Sequence, residues 1–334
     1  MTLKNIASKR PKLANFITEI PKGNKVMLAQ AITLVESTLA EDIILANDVV
    51  ENLLPLTGKS IRIGITGIPG VGKSTFIETF GKHITSLSKK IAVLAVDPSS
   101  AKTKGSILGD KTRMEELSKD SLAFIRPTAT RTALGGVADR TREAILLCEA
   151  AGFEIVIIET VGVGQSETAV RNLVDFFLLL MLAGAGDELQ GIKKGIMEMA
   201  DTIVITKADG DNIKQANQAK TDYQYALHLF SESESGWKPG VITSSALEKK
   251  GITETWKLIK EYIEFTKSNR HFERNRTQQN LVWFHEQMGL LLQSQLIQDK
   301  NIEAQIKAYE KEIIDNKILP SRAAQKIIQT FLKR

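Results

Sequence analysis

The feature that most constrains this chain is the nine-residue stretch Gly67-Ile68-Pro69-Gly70-Val71-Gly72-Lys73-Ser74-Thr75. It fits G-x-x-x-x-G-K-[ST], and the flanks give the match its meaning. Ahead of it, Ile61-Arg62-Ile63-Gly64-Ile65 is a short apolar run that reads as a strand. Behind it, Thr75 to Leu87 predicts a helix with Phe76, Phe80 and Ile84 on one face. A strand that turns through glycines into a helix can wrap its backbone closely around a phosphate. The first N–H groups of the helix then donate to phosphate oxygens. In such a loop Gly67, Ile68, Pro69, Gly70, Val71, Gly72 and Thr75 line the phosphates. Lys73 reaches the β- and γ-phosphates, and the Ser74 hydroxyl binds Mg²⁺.

Six further strand candidates follow the first one, at Ile61–Ile65. They are Ile91–Val96, Ala123–Arg126, Ile155–Ile158, Phe176–Leu182, Thr202–Thr206 and Gly240–Thr243, with helical patterns between most of them. Continuous apolar strands alternating with helices imply a parallel sheet covered on both faces. The expected fold is therefore α/β: a P-loop NTPase with a mostly parallel central sheet flanked by helices, over residues 57–265. Residues 1–56 predict a helical extension, with helices over Lys25 to Glu36 and Glu41 to Leu54. Residues 266–334 predict a helical arm. There, Leu281, Phe284, Met288, Leu291, Leu292 and Leu296 fall near one side of a helix. A second helix is expected from Ile302 to Asp315, and a third from Ser321, as its N-cap, to Leu332. Such an arm packs back on the core or pairs with another copy.

Composition narrows the function classes. A net charge of +5 over 334 residues, with no basic tract, gives no footprint for nucleic acid. Cys148 is the only cysteine, so intrachain disulfides and cysteine metal clusters are excluded; it is expected as a buried helix residue. The four histidines are dispersed, none in a metal-ligand spacing. The longest apolar run, Phe176 to Ala183, is far short of the roughly 20 residues that span a membrane. The basic first residues read as an arm rather than a cleaved organelle presequence, and a cytoplasmic location is expected.

Two more segments fit a nucleotide site. Ile155-Val156-Ile157-Ile158-Glu159-Thr160-Val161-Gly162 is a strand ending in an acid, with glycine three residues later. Glu159 would hold Mg²⁺ through water, and the Gly162 N–H would sense the γ-phosphate. Thr206-Lys207-Ala208-Asp209 resembles the guanine-reading Asn-Lys-x-Asp element. Asp209 can accept from both N1–H and the 2-amino group of guanine. Adenine offers neither donor, so the carboxylate would be left desolvated and unpaired. The Lys207 stem would cover the base, and Ser245, Ala246 and Leu247 resemble the loop whose N–H groups meet guanine O6. Thr206 stands where the element usually has asparagine, so the loss of a bond that braces the loop is expected. GTP is favoured over ATP because Asp209 carries the discrimination.

Several segments together resemble the MeaB/ArgK-type P-loop GTPases, the G-protein chaperones of methylmalonyl-CoA mutase. They are Gly67 to Thr75, Val96 to Ser100, Gly105 to Met114, Glu159 to Glu167 and Ala185 to Gly195, with Lys207 to Asn212. The resemblance implies that Asp97 and Asp110 lie near Mg²⁺ and the phosphates, Asp110 on the first switch loop and Glu159 in the second. It implies that Gln190 to Lys194 form a third mobile loop, and that the chain forms a homodimer through its helical tail. Lys73, Glu159 and Asp110 are then the expected catalytic set, with GTP/GDP and Mg²⁺ as cofactors. Val163, not glutamine, follows the switch glycine, and Gln165 lies two positions on. Slow intrinsic turnover is expected, raised when a partner orders the switches, with Arg113 or Lys193 acting in the manner of an arginine finger. The expected partner is a cobalamin-dependent acyl-CoA mutase. A metal-insertion GTPase is the main alternative; such proteins tend to carry His-rich or Cys-x-x-Cys tracts, which this sequence lacks. A P-loop kinase or ATPase accessory to transport is another, and Asp209 disfavours it.

Overall fold

The computed structural model describes residues 11–97, 114–129, 138–160, 166–184, 194–230 and 233–332. Its centre is a seven-stranded sheet in the order β3-β2-β4-β1-β5-β6-β7. The strands are β1 Ile61–Gly67, β2 Ile91–Asp97, β3 Ala123–Ala129, β4 Ile155–Thr160, β5 Phe176–Leu182, β6 Thr202–Thr206 and β7 Gly240–Thr243. Every pairing between them is parallel. All seven predicted strands are present, and the mostly parallel sheet of the sequence reading is wholly parallel here.

Both faces of the sheet are apolar because both are covered. Ile63, Ile65, Ile155, Ile157, Phe176, Leu178 and Leu180 share one cluster with Phe76, Phe80 and Ile84 of α4 (Lys73–Ser86). Trp256 and Ile259 of the helix Ile252–Ser268 belong to the same cluster. The alternate residues Val156, Ile158 and Phe177 face the other way. They join Ala144, Leu147 and Cys148 of the helix Ala138–Ala150. Three N-terminal helices complete that cluster: α1 (Leu13–Glu19), α2 (Lys25–Val35) and α3 (Ala40–Leu53), through Phe16, Leu28, Ile32, Val49 and Leu53. This period-two alternation with apolar residues on both sides is what a covered parallel sheet requires. Cys148 is buried, as its neighbours imply.

Strand β3 is an edge of the sheet. Lys25 of α2 donates to the carbonyl of Ala123 at 2.6 Å. Arg126 of β3 reaches back to the Ala29 carbonyl at 3.3 Å and to Glu36 at 2.6 Å.

The end of the sheet where the strands begin is held by ionic groups. Arg62 donates to Glu149 through Nε (2.8 Å) and Nη2 (3.0 Å). Glu149 also accepts from the Ser60 hydroxyl and the Gly58 N–H. Arg276 makes a two-pronged bond to Asp175, Nε to Oδ1 and Nη2 to Oδ2, each at 2.7 Å. Nη1 and Nη2 also donate to the carbonyls of Gly58 and Ser60 respectively, each at 2.6 Å. The guanidinium also lies 4.4 Å from the centre of the Phe272 ring.

The chain divides into two compact units, with the boundary inside the long helix His271–Gln298, between Thr277 and Gln278. The second unit contains the helices Lys300–Ile314 and Pro320–Leu332, packed around Ile302, Ala323 and Ile327. Asp299 caps the first of these, accepting from the N–H groups of Asn301 and Ile302. The last helix differs from the sequence expectation at its start. Pro320, not Ser321, is its first residue, so Ser321 lies inside the first turn. Proline suits that position because the N–H it lacks would have no helical partner. Along His271–Gln298, Leu281, Phe284, Met288, Leu291 and Leu292 are all exposed. No helix among the described residues is long and apolar enough to cross a membrane.

Candidate nucleotide site

β1 lies at the middle of the sheet, between β4 and β5, and its C-terminal end runs into the glycine-rich loop. Gly67 is demanded here by close approach. It has φ +155, and a Cβ on it would stand 2.5 Å from the Leu180 carbonyl oxygen of β5. Gly72 is the N-cap of α4, in the left-handed region at φ +93. The loop therefore feeds directly into the amino end of a helix, where unsatisfied N–H groups and the helix dipole favour an anion. Lys73 is the first residue of that helix, and its ammonium donates to the carbonyls of Gly67 (2.8 Å) and Ile68 (3.2 Å). Partial burial lowers the Lys73 pKa, while the charges of Glu159 and Glu167 oppose that shift.

The sheet register brings the switch acid to the loop. Glu159 of β4 pairs in register with Ile65 of β1, two residues before Gly67. Its Oε1 lies 3.2 Å from the Ser74 hydroxyl. Thr160, the next residue, donates to Thr66 at 2.8 Å, which ties the ends of β4 and β1 together in the interior. Two hard oxygen donors beside a phosphate cradle are the donor set that Mg²⁺ takes, since it keeps waters and phosphate oxygens for its other positions. Among the described residues, no group of three or more His, Cys, Asp or Glu could hold a metal alone. The donors present thus fit Mg²⁺ bound together with phosphate. Asp97 ends β2, next to β4, but its side chain lies outside the described residues. Asp110, Arg113, Gly162, Gln165, Gln190 and Lys193 lie outside them entirely.

The predicted base-reading residues meet one another. Asp209 accepts from the Ser245 hydroxyl through Oδ2 at 2.5 Å. Ser245 is fully buried, and its hydroxyl oxygen also accepts from the Glu248 N–H. Lys207 sits in the left-handed region at φ +55, and its carbonyl accepts from the Asn212 side-chain amide at 2.7 Å. The Ala208 N–H donates to the Ser244 carbonyl, joining the two loops. Ala246 is half-buried and Leu247 is exposed, and the Ala246 carbonyl accepts from Thr79 of α4.

Thr206 does not behave as its departure from asparagine suggested. Its hydroxyl donates to the Val71 carbonyl of the phosphate loop at 2.7 Å, and lies 3.2 Å from the Met181 carbonyl. The brace expected to be lost is made by a shorter side chain. Sequence reasoning missed the buried Thr66–Thr160 pair, because two threonines nearly a hundred positions apart carry no pattern. It also assigned no role to Glu167.

Comparison with known proteins agrees with this geometry. Residues 28–301 match the family model described as "Methylmalonyl Co-A mutase-associated GTPase MeaB". A putative GTPase of Caulobacter vibrioides is 47% identical over 309 residues, covering 92% of this chain and 94% of the relative. The mitochondrial methylmalonic aciduria type A homolog of Mus musculus is 44% identical, covering 95% of this chain and 79% of its own length. Among solved structures, one titled as a LAO/AO transport system kinase covers 100% of both chains, with a TM-score of 0.76 and 36% identity. The phosphate loop at the centre of a parallel sheet, the guanine-type element and these matches lead to one conclusion: the chain is a P-loop GTPase and belongs to the methylmalonyl-CoA mutase-associated GTPase MeaB family.

Proposed function

We propose that this GTPase is a chaperone of a cobalamin-dependent acyl-CoA mutase, with methylmalonyl-CoA mutase as the first candidate. Guanine nucleotide state would gate cobalamin loading and protection of the mutase. The observation that carries the reading is the family match across residues 28–301, joined to a guanine-type carboxylate already oriented by Ser245. In this reading Asp209 selects guanine, Lys207 covers the base, and Ser245, Ala246 and Leu247 close the base pocket. The loop from Gly67 to Thr75 binds the phosphates, and Lys73 stabilises charge as the γ-phosphoryl group transfers. Ser74 and Glu159, with Asp97 and Asp110, would hold Mg²⁺, which offsets negative charge on the phosphates when bound. Arg113, Gly162, Gln165, Gln190 and Lys193 belong to the switches.

The exposed apolar row Leu281, Phe284, Met288, Leu291 and Leu292 supports a second copy of the chain as the occupant of the helical arm. A row of this kind on one helix marks an interaction site. We assign residues 1–56, 57–265 and 266–334 to the N-terminal extension, the GTPase domain and the dimerisation arm. A cytoplasmic location belongs to the same reading.

The test is steady-state hydrolysis of GTP and ATP, with and without the acyl-CoA mutase of the same organism. Slow GTP turnover that rises severalfold with the mutase, with negligible ATP turnover, is the expected result. GTP turnover indifferent to the mutase would refute the chaperone reading and leave the GTPase. The transport-kinase title of the structural neighbour motivates the ATP arm. A preference for ATP would overturn the role given to Asp209.

A further inference from the structure

Two loops form the base-reading end of the site, and a threonine hydroxyl ties each of them to the phosphate-binding element. Thr206 does this for the loop of Asp209, through the Val71 carbonyl. Thr79 does it for the loop of Ser245. It lies on α4, six residues after Lys73, and is half-buried. Its hydroxyl donates to the Ala246 carbonyl at 3.3 Å. The Thr75 carbonyl lies 3.2 Å from the same oxygen, so the two carbonyls share one hydrogen. They differ in need. The Thr75 carbonyl already accepts inside the helix, whereas the Ala246 carbonyl has no other donor among the described residues.

The rest of the Ser245 loop is already fixed. Ser245 and Lys250 exchange two backbone hydrogen bonds, each at 3.0 Å, and the Ser244 hydroxyl adds a bond to the Lys250 carbonyl. Gly251 closes the loop in the left-handed region at φ +75, where a Cβ would run into the Thr243 carbonyl oxygen. The Glu248 N–H is held by the Ser245 hydroxyl. Between these fixed points lies the peptide unit that joins Ala246 to Leu247, and Thr79 holds its oxygen. A trans peptide is planar, with C=O and N–H pointing opposite ways. Holding the Ala246 carbonyl toward α4 therefore sets the Leu247 N–H on the opposite side. Among the described residues neither the Ala246 N–H nor the Leu247 N–H has a hydrogen-bond partner, so both are open to a ligand.

We propose that Thr79 is a positioning residue for guanine recognition: it aims the Leu247 N–H at the 6-oxo group of the base. On guanine that oxygen is next to N1. Asp209, which faces N1 in the proposed base pocket, is bonded to Ser245, two residues before Leu247. Asp209 thus reads one position of the base edge, and the peptide held by Thr79 reads its neighbour. A misaimed N–H would leave the 6-oxo group desolvated and unpaired, so its orientation bears on which base binds as well as on how tightly. Thr79 stands on the helix that begins with Lys73 and Ser74, so the same bond joins base recognition to the phosphate end. The proposal rests on the base-pocket reading and is independent of any mutase partner.

The test uses the full-length protein with Thr79→Val and Thr79→Ser. Valine keeps the shape without the hydroxyl, and serine keeps the hydroxyl. Affinities for three nucleoside diphosphates are read by competition against fluorescent GDP. GDP is compared with 6-thio-GDP, which alters the 6-oxo group alone, and with IDP, which lacks the 2-amino group alone. Thr79→Val is expected to weaken GDP binding by about two- to tenfold, the range for one neutral hydrogen bond. Its preference for GDP over 6-thio-GDP should shrink by a similar factor. The preference for GDP over IDP, which Asp209 sets, should be unchanged. Thr79→Ser should match the parent in both preferences. A preference for GDP over 6-thio-GDP that survives intact in Thr79→Val would overturn the proposal. So would an equal fall in both preferences, which a general loosening of the loop would give. A parent protein that does not distinguish GDP from 6-thio-GDP would instead refute the base-pocket reading, and the proposal with it.

Discussion

Replacing Arg276 with methionine should be among the most damaging single changes outside the nucleotide site. The guanidinium makes four short hydrogen bonds, two to Asp175 and one each to the carbonyls of Gly58 and Ser60. The side chains of the pair are 13% and 1% exposed. Methionine fills much of the volume but leaves the Asp175 carboxylate buried with, among the described residues, only the Arg62 N–H to face it. Breaking a buried pair from one side costs about 3–5 kcal/mol. At roughly 2–4 °C per kcal/mol for a unit of this size, the melting temperature should fall by about 6–20 °C. Lysine keeps the charge but lacks the planar fork and has fewer donors, so Arg276→Lys should recover less than half of the loss. Asp175→Asn combined with Arg276→Met should be milder than the sum of the two, since the stranded charge is gone. The assay is thermal unfolding of the four proteins. Nucleotide turnover well below the melting temperature serves as a control. The bonds lie where the strands begin, and Gly67 is five residues up β1 from Arg62, about 16 Å away. A melting temperature for Arg276→Met within about 2 °C of the parent would refute this reasoning.

Three further outcomes are expected. Thr206→Val removes the hydroxyl bound to the Val71 carbonyl, at a cost of about 1–3 kcal/mol; a fluorescent-GDP titration should show weaker binding, with Thr206→Asn close to the parent, and equal affinities for Val and parent would sink the idea. Asp209→Asn exchanges one acceptor oxygen for a donor, so GTP binding should weaken by roughly a hundredfold or more while a nucleotide with a 2-oxo group in place of the 2-amino group gains, measured by competition. Asp120 is held down to about 2 from 3.8, chiefly by the Lys82 ammonium and then by the Leu122 N–H, with Thr85 adding a smaller bond. Its stabilising effect is therefore complete above the unfolded value and disappears as pH falls toward 2. The gap in denaturation midpoint between parent and Asp120→Asn should be constant at neutral pH and close in that acid window; a constant gap throughout would contradict it.

The sheet was legible because its strands are the chain's continuous apolar runs, and burial on both faces leaves no other pattern. Strand order was not. Pairing of β1 with β4 and β5 depends on crossovers between residues roughly a hundred positions apart, and local periodicity carries no such information. The phosphate loop was readable because glycine spacing is a backbone requirement, which Gly67 meets literally against Leu180. Thr206 was misjudged because a motif records which side chain usually braces a loop. The geometry asks only for a donor within reach of Val71. Glu167 escaped notice for a similar reason: a glutamate in the first turn of a helix looks like an ordinary surface residue until its burial is known. The start of the last helix was misplaced by two residues because serine is the commoner cap, while Pro320 takes the position that needs no N–H.

The cations along β3 bear on solubility. An outer strand offers unpaired backbone groups to any other extended chain, and this one includes Phe124 and Ile125. Lys25 occupies the Ala123 carbonyl, and Arg126 is tied to α2 by Ala29 and Glu36. Helix α2 thus acts as a guard against edge-to-edge association. A chain proteolysed after Val35 would keep its phosphate loop yet lose this guard, and it should be lost to aggregation before it is lost to inactivity.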